Sequence, residues 1–171
     1  HAINNNSDLH IMGLMSDGGV HSHIDHIIYL MNEAKKAGVK NVYVHSFLDG
    51  RDVPPQSAKE FLAKLDEARV PGVELGVVSG RYYAMDRDNN YDRLKLAYDA
   101  ICYGIGNKYN DFLEVFEDQY QRNITDEFIL PSVIKPGTLN DNDGIIVWNY
   151  RPDRFREMFT AITNPDESPM E

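Results

Sequence analysis

Residues 9–38, LHIMGLMSDGGVHSHIDHIIYLMNEAKKAG, predict a strand, a loop and a helix in succession. The apolar run 9–16 is typical of a buried strand, and the Asp-Gly-Gly that follows it is typical of a turn. A capping box of Ser22 and Asp25 is expected at the start of the helix, and Gly38 is expected to end it. Apolar side chains recur between them at helical spacing, at Ile24, Ile27, Ile28, Met31 and Ala34.

The same alternation continues along the chain. Strands are predicted at residues 41–48, 73–79, 128–134 and 144–150, with Pro131 interrupting the third of them. Helices are predicted to include residues 61–68, 94–101, 110–121 and 152–162, and a long loop to cover residues 80–90. Alternating strands and helices without an internal repeat predict a single α/β domain over residues 1–171, with a mostly parallel sheet and helices on both faces.

Composition restricts the class of protein. The net charge of −10 and the pI near 5.0 disfavour nucleic acid and anionic membranes as partners, because both require a basic surface. No apolar run reaches the roughly 20 residues that span a bilayer. Cys102 is the only cysteine, which is typical of a reducing compartment. We therefore expect a soluble, cytoplasmic protein, and the absence of an initiating Met suggests a piece of a longer one.

Four polar segments each follow a predicted strand directly. They are SDGGVHSH at 16–23, DGRDVPP at 49–55, SGRYYAMDRD at 79–88 and NYRPDR at 149–154. Because parallel strands all end at one edge of the sheet, these segments are expected to meet there. Together they contain five of the nine arginines of an otherwise acidic chain. The pattern predicts a basic pocket for a small anion, since the planar guanidinium group suits phosphate and carboxylate.

Some of these residues allow a simpler interpretation. The arginines could form surface ion pairs with Asp86, Asp88 and Asp153, worth about 0–1 kcal/mol each. Asp17 and Asp49 resemble turn residues, because each precedes a glycine.

Asp52 could be either an N-cap for the next helix or a functional carboxylate. Its neighbour Arg51 favours the functional role, because a guanidinium group keeps a carboxylate ionised. Arg151 and Arg154 flank Pro152, which is favoured in the first turn of a helix, so the free N–H groups of that turn could face the same anion.

The histidines near the amino terminus suggest a third possibility. His21 and His23 have a spacing known from metal ligands, and a metallohydrolase could be built on them. Later in the chain only His45 and Cys102 could add a nitrogen or sulfur ligand. We therefore predict no metal site in this chain and regard His21, in the loop before the helix cap, as the better candidate for a functional residue.

All four segments resemble the substrate-binding domain of the cofactor-independent phosphoglycerate mutase family, in order and in spacing, over nearly the whole chain. The resemblance implies an isomerase of glycolysis and gluconeogenesis that interconverts 3-phosphoglycerate and 2-phosphoglycerate. It also implies a second, phosphatase-like domain with a nucleophilic serine and two divalent metals, usually manganese. No counterpart of that serine or of its metal ligands occurs in this chain, so we expect the chain alone to be inactive and to bind phosphoglycerate weakly if at all.

The resemblance also implies roles for particular residues. Asp52 would bind the glycerate hydroxyl groups and move their proton, as base and then as acid, while Arg51 keeps it ionised. The residues that the resemblance places in contact with substrate are His21, Arg51, Asp52, Arg81, Arg87, Arg151 and Arg154. The alternative is a stand-alone binding module for a small phosphorylated or carboxylated metabolite, without catalysis.

Overall fold

The computed structural model describes residues 1–15, 23–148, 156–164 and 166. Within these ranges the chain forms one six-stranded sheet with helices on both of its faces. The helices are α1 (Ala2–Asn5), α2 (Ile24–Ala37), α3 (Ala58–Ala68), α4 (Arg81–Ala84), α5 (Tyr91–Tyr103), α6 (Phe112–Gln121) and α7 (Arg156–Thr163). The strands are β1 (Leu9–Met15), β2 (Val42–Leu48), β3 (Val73–Gly80), β4 (Asn107–Lys108), β5 (Ser132–Val133) and β6 (Gly144–Val147), and Asp126–Phe128 form a 3₁₀ turn.

The strand order is β4-β5-β3-β2-β1-β6. Strands β3, β2, β1 and β6 are parallel, whereas β5 runs antiparallel to β3. This confirms the predicted mostly parallel α/β sheet. The chain places β2 and β3 on one side of β1 and β6 on the other, so the strand order reverses at β1. Open α/β sheets bind ligands beyond the carboxyl ends of their strands at such a reversal.

Two apolar layers enclose the sheet. Along β1, Ile11 and Met15 pack into the layer that includes α2, α3 and α6, whereas Met12 and Leu14 pack into the layer that includes α5 and α7. All four are almost fully buried. Successive side chains of a strand point to opposite faces, so a strand covered on both sides is apolar throughout. None of the helices in the described ranges is long and apolar enough to cross a membrane.

Some predicted ends of helices and strands are confirmed, and others differ in the structure or lie outside the described residues. Gly38 and Gly104 end α2 and α5 in the left-handed conformation, as glycines at this position commonly do. The N-cap of α2 is His23, whose Nδ1 accepts a hydrogen bond of 3.2 Å from the Asp25 N–H. The predicted capping residue, Ser22, lies outside the described residues. So do residues 149–155, which include the predicted end of β6 and the start of α7.

Two predictions between β3 and β6 are wrong. The predicted loop 80–90 contains the helical turn α4, which a 2.9 Å bond from the Met85 N–H to the Arg81 carbonyl oxygen closes. The predicted strand 128–134 is reduced to the two residues of β5. Leu130 donates its N–H to the side chain of Gln119, at 2.8 Å, and Pro131 has no N–H, so neither residue donates to a strand ladder.

A chain of buried polar groups crosses the sheet in its interior. The register between β2 and β3 shifts near Gly76, and the N–H of Val77 donates to His45 Nδ1 at 3.2 Å. His45 Nε2 then donates to His10 Nδ1 at 2.9 Å, and His10 Nε2 donates to the Asp143 carboxylate at 3.1 Å. Because each histidine accepts at Nδ1, both must carry their proton on Nε2. We call His10, His45 and Asp143 the histidine network.

Burial keeps the two histidine rings of this network uncharged. Both histidines are completely inaccessible to solvent. Burial lowers the pKa of His45 well below its usual value, and a charge on His10 would lower it further. Burial also lowers the pKa of His10, although its bond to Asp143 opposes the shift. The rings leave no space at Gly76, where an added Cβ would lie 2.6 Å from His45 Cε1.

Candidate functional site

Strand register brings the ends of β1, β2 and β3 to one level. Met15 is paired with Leu48, and Leu48 is paired with Gly80. The residues that follow Leu48 and Gly80 therefore leave the sheet side by side. They are the loop 49–57, which we call the β2 loop, and the helical turn α4.

One guanidinium group links these two segments. Arg81 Nη1 donates to Asp49 Oδ1 at 2.9 Å and to Asp52 Oδ2 at 3.0 Å. The side chains of Arg81 and Asp49 are 3% and 1% exposed, whereas that of Asp52 is 27% exposed. The structure therefore brings together two of the predicted site residues, Arg81 and Asp52. Of the two carboxylates, that of Asp52 is the one open to solvent. We call Asp49, Asp52 and Arg81 the charged cluster.

Asp49 has two roles, of which the sequence indicated one. Its Oδ1 accepts the N–H groups of Arg51 and Asp52, at 3.1 and 3.0 Å, as expected of a turn residue. The same oxygen also accepts from Arg81. Asp49 Oδ2 is buried and has no hydrogen-bond partner. The ion pair escaped sequence analysis because it depends on the register between two strands, although an Asp directly after a buried strand could have suggested it.

Asp52 is not an N-cap. Helix α3 begins at Ala58, six positions later, and its first N–H groups are bound by a residue far away in sequence. Asp126 Oδ2 accepts from the N–H groups of Ser57 and Ala58, at 2.9 and 2.8 Å. The capping alternative for Asp52 is therefore wrong, and its carboxylate belongs to the charged cluster.

A cleft of about 450 Å³ opens beside the charged cluster. Arg51 and Arg81 both line it, so the structure brings these two predicted arginines to one cavity. Its other lining residues are Tyr82, Met85, Asp86, Asp88, Arg93, Glu127 and Phe128. Among the described residues, three arginines and three carboxylates therefore face this cleft, in a chain whose net charge is −10.

The place of Arg93 in the wall of the cleft could not be predicted from the sequence. Its guanidinium carbon lies 4.0 Å from the centre of the Tyr82 ring, and Nη1 is 3.8 Å from Asp86 Oδ1. Its position on α5, outside the four segments, gave no indication of this. Tyr82 forms part of the pocket wall, with its ring centre 5.1 Å from that of Phe128.

The surface ion pairs proposed as the simpler interpretation do not describe Arg81, which binds inside the protein. Asp86 instead shapes the segment after α4. Its Oδ2 accepts from the N–H groups of Asp88 and Asn90, at 3.1 and 2.8 Å. Burial acts to raise the pKa of Asp86, but these bonds and the Asn90 side chain outweigh it and leave the pKa lowered. Arg87 is exposed between Asp86 and Asp88, both of which line the cleft.

The remaining predicted site residues are His21, Arg151 and Arg154, and all three lie outside the described residues. The metallohydrolase interpretation on His21 and His23 therefore stays untested. Among the residues that the structure does describe, no group of three or more His, Cys, Asp or Glu side chains could hold a metal ion.

Comparison with known proteins gives a consistent result. Residues 1–171 match the family model described as BPG-independent PGAM N-terminus. The 2,3-bisphosphoglycerate-independent phosphoglycerate mutase of Clostridium tetani is 50% identical over 172 aligned residues, covering 96% of this chain and 34% of the relative. The enzyme of the same name from Clostridium perfringens strain SM101 is 51% identical, over 95% of this chain and 33% of the relative.

A solved structure is similar as well. A crystal structure of Leishmania mexicana phosphoglycerate mutase at low cobalt concentration superposes with a TM-score of 0.88 and 31% sequence identity. The match covers 95% of this chain and 33% of that protein. The chain thus spans about one third of the length of the relatives it matches.

Proposed function

Because the chain belongs to the BPG-independent PGAM N-terminus family, we propose that it is the substrate-holding domain of a cofactor-independent phosphoglycerate mutase. The observation that carries the proposal is the charged cluster beside an arginine-lined cleft. The intact enzyme would interconvert 3-phosphoglycerate and 2-phosphoglycerate in glycolysis and gluconeogenesis. A serine in the rest of the polypeptide would carry the phosphoryl group between the two oxygens.

Arg51, Arg81 and Arg87 would bind the carboxylate and phosphate groups of the substrate, together with His21, Arg151 and Arg154. The substrate carries about three negative charges, so several guanidinium groups can bind it at once through paired hydrogen bonds. Holding glycerate while the serine is phosphorylated prevents its loss and keeps the receiving hydroxyl group in position. The exposure of Arg51 and its place on the cleft wall support this role.

Asp52 would be the general base and acid. One of its oxygens binds Arg81 at 3.0 Å, and the side chain is partly open to solvent. A carboxylate in this position can accept the proton of the attacking hydroxyl group and return a proton to the leaving one. The fixed partner Arg81 would hold the carboxylate in one orientation while substrate changes places.

The transfer of the phosphoryl group itself would take place in another part of the enzyme. A phosphatase-like domain would supply the serine and two divalent metals, expected to be manganese, and no residue described here is given a role in binding them. A cytoplasmic location is part of the same proposal, and the single cysteine, which is free and buried, supports it.

The test is mutagenesis of the full-length gene product. Asp52→Asn is expected to lower kcat by roughly 10²- to 10⁴-fold, since it removes the acid and base. Arg51→Ala is expected to raise KM for phosphoglycerate. Arg122→Ala, at the exposed arginine that follows α6 and pairs with Asp118, serves as the control and should match wild type.

Wild-type turnover by Asp52→Asn would refute the assignment of the acid and base. Titration calorimetry of the 171-residue chain with 3-phosphoglycerate tests the binding-module alternative. Tight binding without the rest of the enzyme, combined with no mutase activity in the full-length protein, would favour that alternative.

A further inference from the structure

We propose that the 3₁₀ turn Asp126–Phe128 is a positioning element, which sets the separation and orientation of the β2 loop and α4. The inference rests on the proposed function, because it concerns the placement of Arg51, Asp52 and Arg81. It adds residues that come from a different part of the chain and that do not themselves contact the reacting atoms.

Asp126 binds the far end of the β2 loop. Besides accepting from Ser57 and Ala58, it donates its own N–H to the Pro55 carbonyl oxygen at 2.9 Å. Its side chain is fully buried. Asp49 fixes the beginning of the same loop through the N–H groups of Arg51 and Asp52. The loop is therefore held at both ends by buried carboxylates, with Arg51 and Asp52 between them.

The backbone of the turn lies directly against the glycine that precedes each arginine. A Cβ at Gly80 would lie 2.1 Å from the Glu127 carbonyl oxygen, and a Cβ at Gly50 would lie 2.9 Å from the Glu127 N–H nitrogen. Gly80 also donates its N–H to the Ile129 carbonyl oxygen at 2.8 Å. The turn therefore contacts both segments where they leave the sheet, and a shift of the turn would move one relative to the other.

Helix α6 fixes the turn in place. The Tyr120 hydroxyl group binds Asp126 Oδ1. Gln119, fully buried, donates to Ser132 Oγ at 3.0 Å and accepts from the Leu130 N–H at 2.8 Å. Phe116 of the same helix is in the apolar core. The position of the turn is thus set by core packing rather than by the loops it contacts.

The test compares two N-caps in the full-length enzyme. Asp126 caps α3 beside the site, and Asp111 caps α6 with Oδ1 accepting from the Leu113 and Glu114 N–H groups, at 2.7 and 3.2 Å. Asp126→Ala is expected to lower kcat roughly 10- to 100-fold at a temperature where the variant is folded, because displacements of about 1 Å have such effects. Asp111→Ala should lower the melting temperature but leave kcat and KM at wild-type values.

Two further measurements distinguish a positioning role of Asp126 from a role in stability alone: the activity of a conservative variant and hydrogen exchange of the β2 loop. Asp126→Asn should restore most of kcat, because its amide oxygen can still accept from Ser57 and Ala58. Hydrogen exchange followed by mass spectrometry should show faster exchange in peptides covering the β2 loop for Asp126→Ala and unchanged exchange there for Asp111→Ala. If Asp126→Ala does not fold, Tyr120→Phe serves instead, with Tyr29→Phe as its control because the Tyr29 side chain is exposed on α2.

Wild-type kcat together with wild-type exchange of the β2 loop in a folded Asp126→Ala or Tyr120→Phe enzyme would overturn this inference alone. Asp52→Asn, measured in parallel, keeps the two proposals apart. If that variant turns over like wild type, the proposed acid and base role of Asp52 fails, while kcat and loop exchange of the Asp126 and Tyr120 variants still decide the positioning role.

Discussion

The charged cluster and the histidine network are both buried polar groups on the same sheet, yet they reach opposite electrostatic states. At the carboxyl ends of β2 and β3, Arg81 stays charged between Asp49 and Asp52. In the sheet interior, burial lowers the pKa of His10 and His45, so both rings remain neutral. Burying a charge is costly unless an opposite charge accompanies it, and a neutral donor–acceptor chain avoids that cost.

The two regions differ in whether a buried positive charge is present, and only the region that contains one borders the cleft. The two neutral rings lie on β1 and β2, and hydrogen bonds join them to β3 and to Asp143, a buried carboxylate just before β6. The charged cluster borders the cleft, where an anion and a proton would have to be handled. The buried ion pairs of Arg81 thus lie beside the cleft, whereas the two rings of the network carry no charge.

The largest expected effect comes from breaking the charged cluster. Arg81→Met leaves Asp49 buried without a counter-charge, so the free energy of unfolding should fall by about 3–5 kcal/mol. Urea unfolding of the chain measures it. The double variant Asp49→Asn/Arg81→Met should lose less than the single one, because position 49 no longer carries a buried charge and Asp52 is partly open to solvent. A double variant that loses the full sum of the two single losses would contradict the pairing.

Because the two histidine rings are held neutral, the free energy of unfolding should be sensitive to acid. Above about pH 6.5 both histidines are neutral in the folded and the unfolded chain, so the network's stability is fully present. Below that value the unfolded chain takes up protons that the folded chain resists, because the folded pKa values are lowered. The free energy of unfolding should then fall by up to about 1.4 kcal/mol per pH unit for each histidine.

Urea unfolding between pH 8 and pH 5 checks this slope. The double variant His10→Gln/His45→Gln should lose it, whereas His26→Gln, at an exposed position of α2, should retain it. A wild-type stability that stays constant down to pH 5 would show that the histidines are not held neutral.

A steric change beside the His45 ring should have a smaller effect. Gly76→Ala would place a Cβ 2.6 Å from the His45 ring, so we expect a loss of about 1–3 kcal/mol. Gly144→Ala in β6 is the control, because its new Cβ would meet the flexible side chain of Leu9 at 3.0 Å. The loss at Gly144 should be smaller, and equal losses in thermal or urea unfolding would show that His45 does not set the cost.

The smallest effect is expected where the same arrangement is exposed. Arg69 also contacts two carboxylates, Asp66 at 3.0 Å and Glu74 at 3.1 Å, but all three side chains are at least one third exposed. Arg69→Met should cost about 0–1 kcal/mol in urea unfolding. A loss as large as that of Arg81→Met would mean that burial does not distinguish the two arginines.

The fold could be predicted because its signals are local. Apolar spacing defined the helices, and Gly38 and Gly104 marked two of their ends. The fold class, with its mostly parallel sheet, followed from the alternation of elements. The short strand β5 was overestimated because Gln119, eleven residues before Leu130, takes up the N–H that a longer strand would use.

The site could be predicted in its residue types but not in its pairings. Asp-Gly-Arg-Asp and Ser-Gly-Arg after two strands indicated an anion site, and Arg51, Asp52 and Arg81 do lie together. The partner of Arg81 depends on the register of Leu48 with Gly80, and the cap of α3 comes from 68 residues away. Such contacts join residues that are distant in sequence and form only when the chain is folded, so no local sequence pattern predicts them.

The position of Asp126 in the chain also has a consequence for the order of synthesis. Domains fold during translation from the amino terminus, and the β2 loop leaves the ribosome long before the turn that fixes it. Until residue 128 has emerged, Ser57 and Ala58 lack their acceptor and Gly80 lacks the backbone that presses against it. The β2 loop and α4 therefore reach their final arrangement only after residue 129 has been synthesised.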